Sequence, residues 1–244
     1  MKHYQYSYKK YNFEKYLLDK YKLKFNCLKN FEDIHHILND ECFNDYIDYF
    51  NEPIKLFGIN DRDSIFVKYF YELWDTDYTL NYLYLQFIYD NIKPLFPLED
   101  YIVIQKTPNI RFHLNGFSNI GRLPTDNIYD CIGLHKDSNF NHNTDSLNVI
   151  IPITPMFHSN SIHYEPTIDS NLNITDYNTI NLFFRDVFVM GDLVNRLHYN
   201  KINTTGKSRV SLDIRVIPYS KYVESNKESV FGKKFKLGGY YMKI

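Results

Sequence analysis

Apolar and polar positions alternate with two different periods along this chain, and the change falls near residue 100. Between residues 12 and 96 the large apolar side chains recur every three to four positions. Tyr16, Leu17, Tyr21 and Leu23 lie roughly along one face, and Ile65, Phe66, Tyr69, Phe70 and Leu73 form a second helical stripe. Leu80, Leu83, Phe87, Ile88 and Ile92 form a third, with Asp61 or Asp63 as candidate cap of the helix containing Ile65 and Pro94 as the stop after Ile92. Stripes of this kind are what core packing requires, and they call for no ligand.

Beyond residue 100 come short runs rich in β-branched and aromatic residues. They are Tyr101–Gln105, Ile110–Leu114, Asp130–His135, Leu147–Thr154, Ile162–Glu165, Ile180–Phe184, Val187–Met190, Leu197–Asn200 and Arg209–Ile217. Asn115-Gly116, Asp169-Ser170-Asn171 and Thr205-Gly206 supply turn chemistry between them. This pattern predicts a mainly β protein with N-terminal helices, its strands forming a sandwich or jelly-roll barrel. No repeat or linker divides it. The expectation is one domain over 1–244, helical to about residue 98, with a β core over 99–220 and an extension over 221–244.

Composition narrows the class. Of 244 residues, 44% are apolar and 23% charged, enough apolar material for a substantial core. Lys plus Arg number 28 against 29 acids, a net charge of −1, which disfavours non-specific nucleic-acid binding. No apolar run is long enough to span a membrane, and Met1–Tyr6 carries no apolar stretch of the secretory kind. Three scattered cysteines, Cys27, Cys42 and Cys131, fit a reducing cytoplasm better than a disulfide framework. The oligomeric state has no signature in the sequence.

The chemistry concentrates in Gly133-Leu134-His135-Lys136-Asp137-Ser138. Residues two apart in a strand share a face, so His135 and Asp137 converge on one point. An imidazole and a carboxylate make two-thirds of the facial triad that holds non-haem Fe(II) with open positions. His198, 61 residues on, is the candidate third ligand. Eleven residues later, Arg209 opens a strand on which Arg209, Ser211, Asp213 and Arg215 share a face. An Arg fork beside a Ser hydroxyl suits a terminal carboxylate. His163-Tyr164-Glu165 repeats the first pattern but lies only 35 residues before His198, with no second distal His and Arg behind it. Arg111, His113 and Glu165 are open to either substrate contact or a structural role. Arg215 is open to an ion pair with Asp213 or to an anionic substrate.

In this order the motifs resemble the Fe(II)/2-oxoglutarate-dependent oxygenases of the phytanoyl-CoA-hydroxylase type, and most nearly the streptomycin-biosynthesis branch. The resemblance runs from about residue 100 and includes Gln105–Leu114, His135–Ser138, Leu147–Thr154, Asn160–Glu165, His198–Asn200, Asn203–Ser211 and Gly238–Tyr241. It implies a double-stranded β-helix with iron held by His135, Asp137 and His198. It further implies 2-oxoglutarate anchored by Arg209, with Ser211 and Asn148 as lesser contacts, O2 as oxidant and ascorbate as reductant in vitro. Relatives that halogenate carry a small residue in place of the carboxylate, so Asp137 implies hydroxylation or a related oxidation such as desaturation. The leading expectation for the substrate is a small polar metabolite, a sugar, amino-acid or natural-product intermediate. Asn139-Phe140, Ser146 and His163-Tyr164 depart from the family pattern at places where substrate would sit. Two other readings fit a jelly roll: a cupin-like metal enzyme without 2-oxoglutarate, and a non-catalytic carbohydrate-binding module.

Overall fold

A computed structural model describes residues 1–39, 64–117, 132–168, 173, 176–229 and 232–244. Its helices are α1 (Phe13–Lys24), α2 (Ile65–Thr76) and α3 (Tyr78–Phe87), the last continued by a π turn over Ile88–Ile92. The inward face of α1 is Phe13, Leu17 and Tyr21, spaced by four, while Leu23 is 82% exposed, so the expected membership of that stripe is corrected. Ser64 caps α2 by accepting from Val67 N at 3.2 Å; Asp61 and Asp63, the expected caps, lie outside the described residues. Asp77 serves two helices. Its N–H donates to Leu73 O at the end of α2, and its carboxylate accepts from Thr79 N and Leu80 N at the start of α3. The same carboxylate accepts from Tyr16 and from Lys20 Nζ at 2.9 Å, which ties α1 to the junction.

The strands are β1 (Lys2–Gln5), β2 (Ile102–Gln105), β3 (Asn109–His113), β4 (Ile132–His135), β5 (Leu147–Pro152), β6 (Ile162–Tyr164), β7 (Asn178–Thr179), β8 (Asp186–Met190), β9 (His198–Asn200), β10 (Arg209–Pro218) and β11 (Tyr241–Lys243). They form two antiparallel sheets. The larger runs β1-β8-β5-β10-β2-β11, with β3 lying end to end with β2 along the same side of β10, and the smaller runs β4-β9-β6-β7. Two expectations change here. Ile180–Phe184 is not a strand; Leu182 makes only an isolated bridge to Met156, and the strand of that region is the two-residue β7. The strands β1 and β11 carry mostly polar or aromatic residues and pair at the sheet edges, where no apolar alternation is needed to hold them.

The alternation of β10 organises the interior. Val210, Leu212, Ile214 and Val216 face the helices, in one core with Leu17, Tyr21, Phe66, Phe70 and Phe87. Residues of opposite parity face the other way. On the neighbouring strands Ile150, Phe188 and Met190 pack against Ile162 and Tyr164 of the smaller sheet, so a second apolar cluster lies between the sheets. Arg209, Ser211 and Arg215 are buried on that inner face. Phe235, Tyr240 and Tyr241 pack on Val103 and Ile217, beside Arg215. No described helix is long and apolar enough to cross a membrane.

Candidate metal centre

His135 ends β4, and the chain turns at once into a single 3-10 turn over Asp137–Phe140. Lys136 between them stays extended (φ −107, ψ 138), so the strand alternation persists one residue past the strand. That is why Asp137 still points to the side of His135. Cross-strand pairing of His135 with His198 brings the second imidazole to the same place, with ring centroids 4.5 Å apart. Asp137 Oδ1 lies 3.6 Å from His135 Nε2 and 3.7 Å from His198 Nε2. Among the described residues this is the one group of three His, Cys, Asp or Glu whose ligand atoms gather, all within 4.8 Å.

Electrostatics and hydrogen bonding prepare these atoms for a cation. His198 Nδ1 lies 2.9 Å from the Arg196 carbonyl. A carbonyl only accepts, so Nδ1 carries the proton and Nε2 presents its lone pair to the site. Burial, chiefly, lowers the His198 pKa and keeps the ring neutral, although Asp137 pulls the other way. Burial alone would raise the pKa of Asp137, but the Arg215 guanidinium beside it holds it well below the usual carboxylate range. Arg215 donates to Asp137 Oδ2 at 2.5 Å and Asn148 Nδ2 donates to the same oxygen at 3.2 Å. Asn148 Oδ1 is buried beside them with no hydrogen-bond partner.

A divalent ion bonded at about 2.1 Å to each ligand needs donor atoms about 3 Å apart. The observed gaps, 3.6 and 3.7 Å from Asp137 Oδ1 with all three atoms within 4.8 Å, are wider, and a bound ion would draw the three side chains together. Two imidazole nitrogens and one carboxylate oxygen are the donors that Fe(II), Co(II) and Ni(II) accept, and the buried, unpartnered Asn148 Oδ1 beside them is free to accept a further hydrogen bond. The residues present fit the group.

The other residues expected at the site fall into distinct surroundings. Arg209 is 0% exposed and pairs across β3 with His113. Ser211 Oγ donates to Asp213 Oδ1 at 3.3 Å, and Asp213 also pairs with Arg111 at 3.4 Å. Asp213 is therefore the partner of Arg111; the expected ion pair between Asp213 and Arg215 is corrected, because Arg215 reaches past its strand neighbour to Asp137. His113 is buried, its ring nitrogens 3.1 Å from the Asn160 and Phe117 carbonyls. Glu165 is buried as well and accepts from Leu197 N at 2.8 Å. His163 stacks on Tyr199 and meets Thr179 Oγ1 at 3.1 Å. Phe140, one of the departures from the family pattern, sets its ring edge-on to His135 at 5.2 Å.

Sequence reasoning named Asn148 and Arg215 at the site but attached neither to Asp137. Arg215 and Asn148 both lie on inward-facing positions, which the alternation reveals, but their pairing across β10 and β5 depends on register.

A cavity of about 270 Å³ is lined by Tyr71, Gln105, Asn109 and Tyr240 among others, and by none of His135, Asp137 and His198.

No family model matches the chain. Over 143 residues it is 29% identical to the streptomycin biosynthesis protein StrG of Streptomyces griseus, a stretch covering 58% of this chain and 60% of that protein. The chain thus spans less than two thirds of the length of the curated relative it matches. Solved structures with partial likeness include a non-heme monooxygenase, the ThoJ–nickel complex, at 13% identity and a TM-score of 0.41, covering 59% of this chain and 58% of that one. HygX from Streptomyces hygroscopicus, with nickel and 2-oxoglutarate bound, is similar at 10% identity and a TM-score of 0.35, over 71% of this chain and 86% of that one.

Proposed function

We propose that this protein is an Fe(II)- and 2-oxoglutarate-dependent oxygenase on a double-stranded β-helix, acting on a C–H bond of a small polar metabolite such as a sugar, amino-acid or natural-product intermediate. The observation that carries the reading is the convergence of His135, Asp137 and His198 between two antiparallel sheets, with Arg209 buried on the adjacent inner face. The sequence likeness to a streptomycin biosynthesis protein supports the substrate class.

In this reading His135 Nε2, His198 Nε2 and Asp137 Oδ1 would hold the metal and leave room on it for cosubstrate and O2. With 2-oxoglutarate and O2 bound, the iron supplies oxidising power that no side chain has. The protein's own part is positional. Arg209 grips the distal carboxylate of 2-oxoglutarate, and its complete burial keeps water from competing for that contact. Ser211, already donating to Asp213, offers its hydroxyl oxygen along the same face. Tyr164 and Ile162, apolar neighbours of His198 on the inner face, exclude water from the reacting end. Asp137, not a small residue, occupies the carboxylate position, which favours hydroxylation or desaturation over halogenation.

Purified protein incubated with Fe(II), ascorbate, O2 and 2-oxoglutarate should form succinate slowly, and faster when a panel of sugars and amino-acid derivatives includes the substrate. His135→Ala should form none. A wild-type protein that holds iron yet forms no succinate across the panel would sink the 2-oxoglutarate reading and leave a cupin-like metal enzyme.

A further inference from the structure

The two oxygens of Asp137 have different company. Oδ1 faces the two histidines, at 3.6 and 3.7 Å, while Oδ2 accepts from Arg215 and Asn148. Both donors stand on the larger sheet, at directly paired positions of β10 and β5, so the hydrogen-bonded ladder and not a loop sets where they point. Asp137, Asn148 and Arg215 are all more than nine-tenths buried.

Resting on the reading of the triad as a metal centre, we propose that Arg215 and Asn148 are positioning residues that clamp Oδ2 and hold Asp137 to coordination through a single oxygen. A carboxylate that turned to bind through both oxygens would take a fourth position on a six-coordinate ion and leave two. Held to one oxygen, it leaves three, the number that a two-point cosubstrate and O2 together occupy. Turning Asp137 would also strand the Arg215 guanidinium in a buried place without its carboxylate, which is strongly unfavourable. The clamp acts before the ion arrives, because the ligand is already oriented and little freedom is lost on binding.

A purely electrostatic role for Arg215 has the opposite signature. A cation this close to a divalent ion repels it, so at a pH where Asp137 is ionised in every variant, removing the charge would tighten metal binding. The two roles therefore separate in one titration. Co(II) affinity and the visible absorption of the Co(II)-saturated protein are measured for wild type, Arg215→Met, Arg215→Lys and Asn148→Ala, each checked for folding by circular dichroism. Arg215→Met is expected to weaken Co(II) about tenfold or more and to alter the visible band. Arg215→Lys should fall between it and wild type, and Asn148→Ala should shift in the same direction by a few-fold. Tighter Co(II) binding in Arg215→Met, or unchanged affinity with an unchanged spectrum, overturns the clamp. If Arg215→Met does not fold, Arg215→Lys and Asn148→Ala carry the same comparison, and wild-type affinity and spectrum in both overturn it. Wild-type protein that takes up no Co(II), or takes it up equally after His198→Ala, overturns the metal centre itself and not the clamp.

Discussion

The imidazole of His198 and the backbone carbonyl of Arg196, two residues upstream, lie 2.9 Å apart, and this one contact selects the tautomer. With the Nδ1 proton committed to Arg196, Nε2 is left as a lone-pair donor aimed toward Asp137 Oδ1. An ion held there should be lost with the ring. His198→Ala is expected to weaken Ni(II) or Co(II) binding by about a hundredfold or more, and one ion per chain should bind the wild type. Isothermal titration of the two proteins checks this, and equal affinities would remove His198 from the centre.

Arg209 and Arg215 share a face of β10 but stand six residues apart, roughly 20 Å along an extended strand. Arg215 is committed to Asp137. Arg209→Ala should therefore weaken 2-oxoglutarate binding to the Ni(II)-loaded protein by well over tenfold, since a desolvated charge-assisted bond contributes about 2–5 kcal/mol. Its Ni(II) affinity should stay near that of wild type. Unchanged 2-oxoglutarate affinity in this variant would place the cosubstrate's anchor elsewhere.

Two histidines outside the triad link stability to pH. Burial, with Arg209 adding to it, lowers the His113 pKa to about 3. Burial, with Lys201 adding to it, lowers that of His163 to about 4. Each is neutral when folded, His113 donating to only one of its two carbonyl neighbours, and ionises near pH 6.5 when unfolded, so the unfolded chain binds more protons below that pH. Their contribution is complete above pH 6.5 and declines as pH falls toward 4, by up to about 1.4 kcal/mol per pH unit for each residue. Urea unfolding at pH 7.5 and 5.5 should show the loss, and His113→Asn should have a shallower pH slope whatever its stability at pH 7.5. An equal slope would assign the loss to other groups.

Phe87 joins the N-terminal segment to the helices. Its ring meets Tyr6, Tyr11 and Phe13 edge to face, with centroids 5.3 to 5.5 Å apart, and it has no exposed surface. Truncating it removes a large buried area and three quadrupolar contacts at once. Phe87→Ala should cost about 3–5 kcal/mol in chemical denaturation, whereas Tyr82→Ala on the exposed side of α3 should cost under about 0.5 kcal/mol. Comparable losses for the two variants would contradict the packing described.

What the sequence determined by itself is what depends on period and order. The helical spacing of Phe66, Phe70 and Leu73 and the strict alternation from Arg209 to Val216 are local properties, because backbone geometry alone decides which face each side chain takes. The pairing of His135 with Asp137 is of the same kind, and it survives the end of β4 because Lys136 stays extended. Tertiary structure decided whatever depends on register and on what covers a surface. Pairing of His135 with His198 and of Asn148 with Arg215 joins residues more than sixty positions apart, and a slip of one residue would send each side chain to the opposite face. The partner of Arg215 could not be read from β10, since Asp213, its neighbour on the same face, was equally acidic and nearer in sequence. Only the packing of Arg111 against Asp213 assigned one carboxylate to each of Arg111 and Arg215, and so left Asp137 with one oxygen bound by its neighbours and the other facing the histidines.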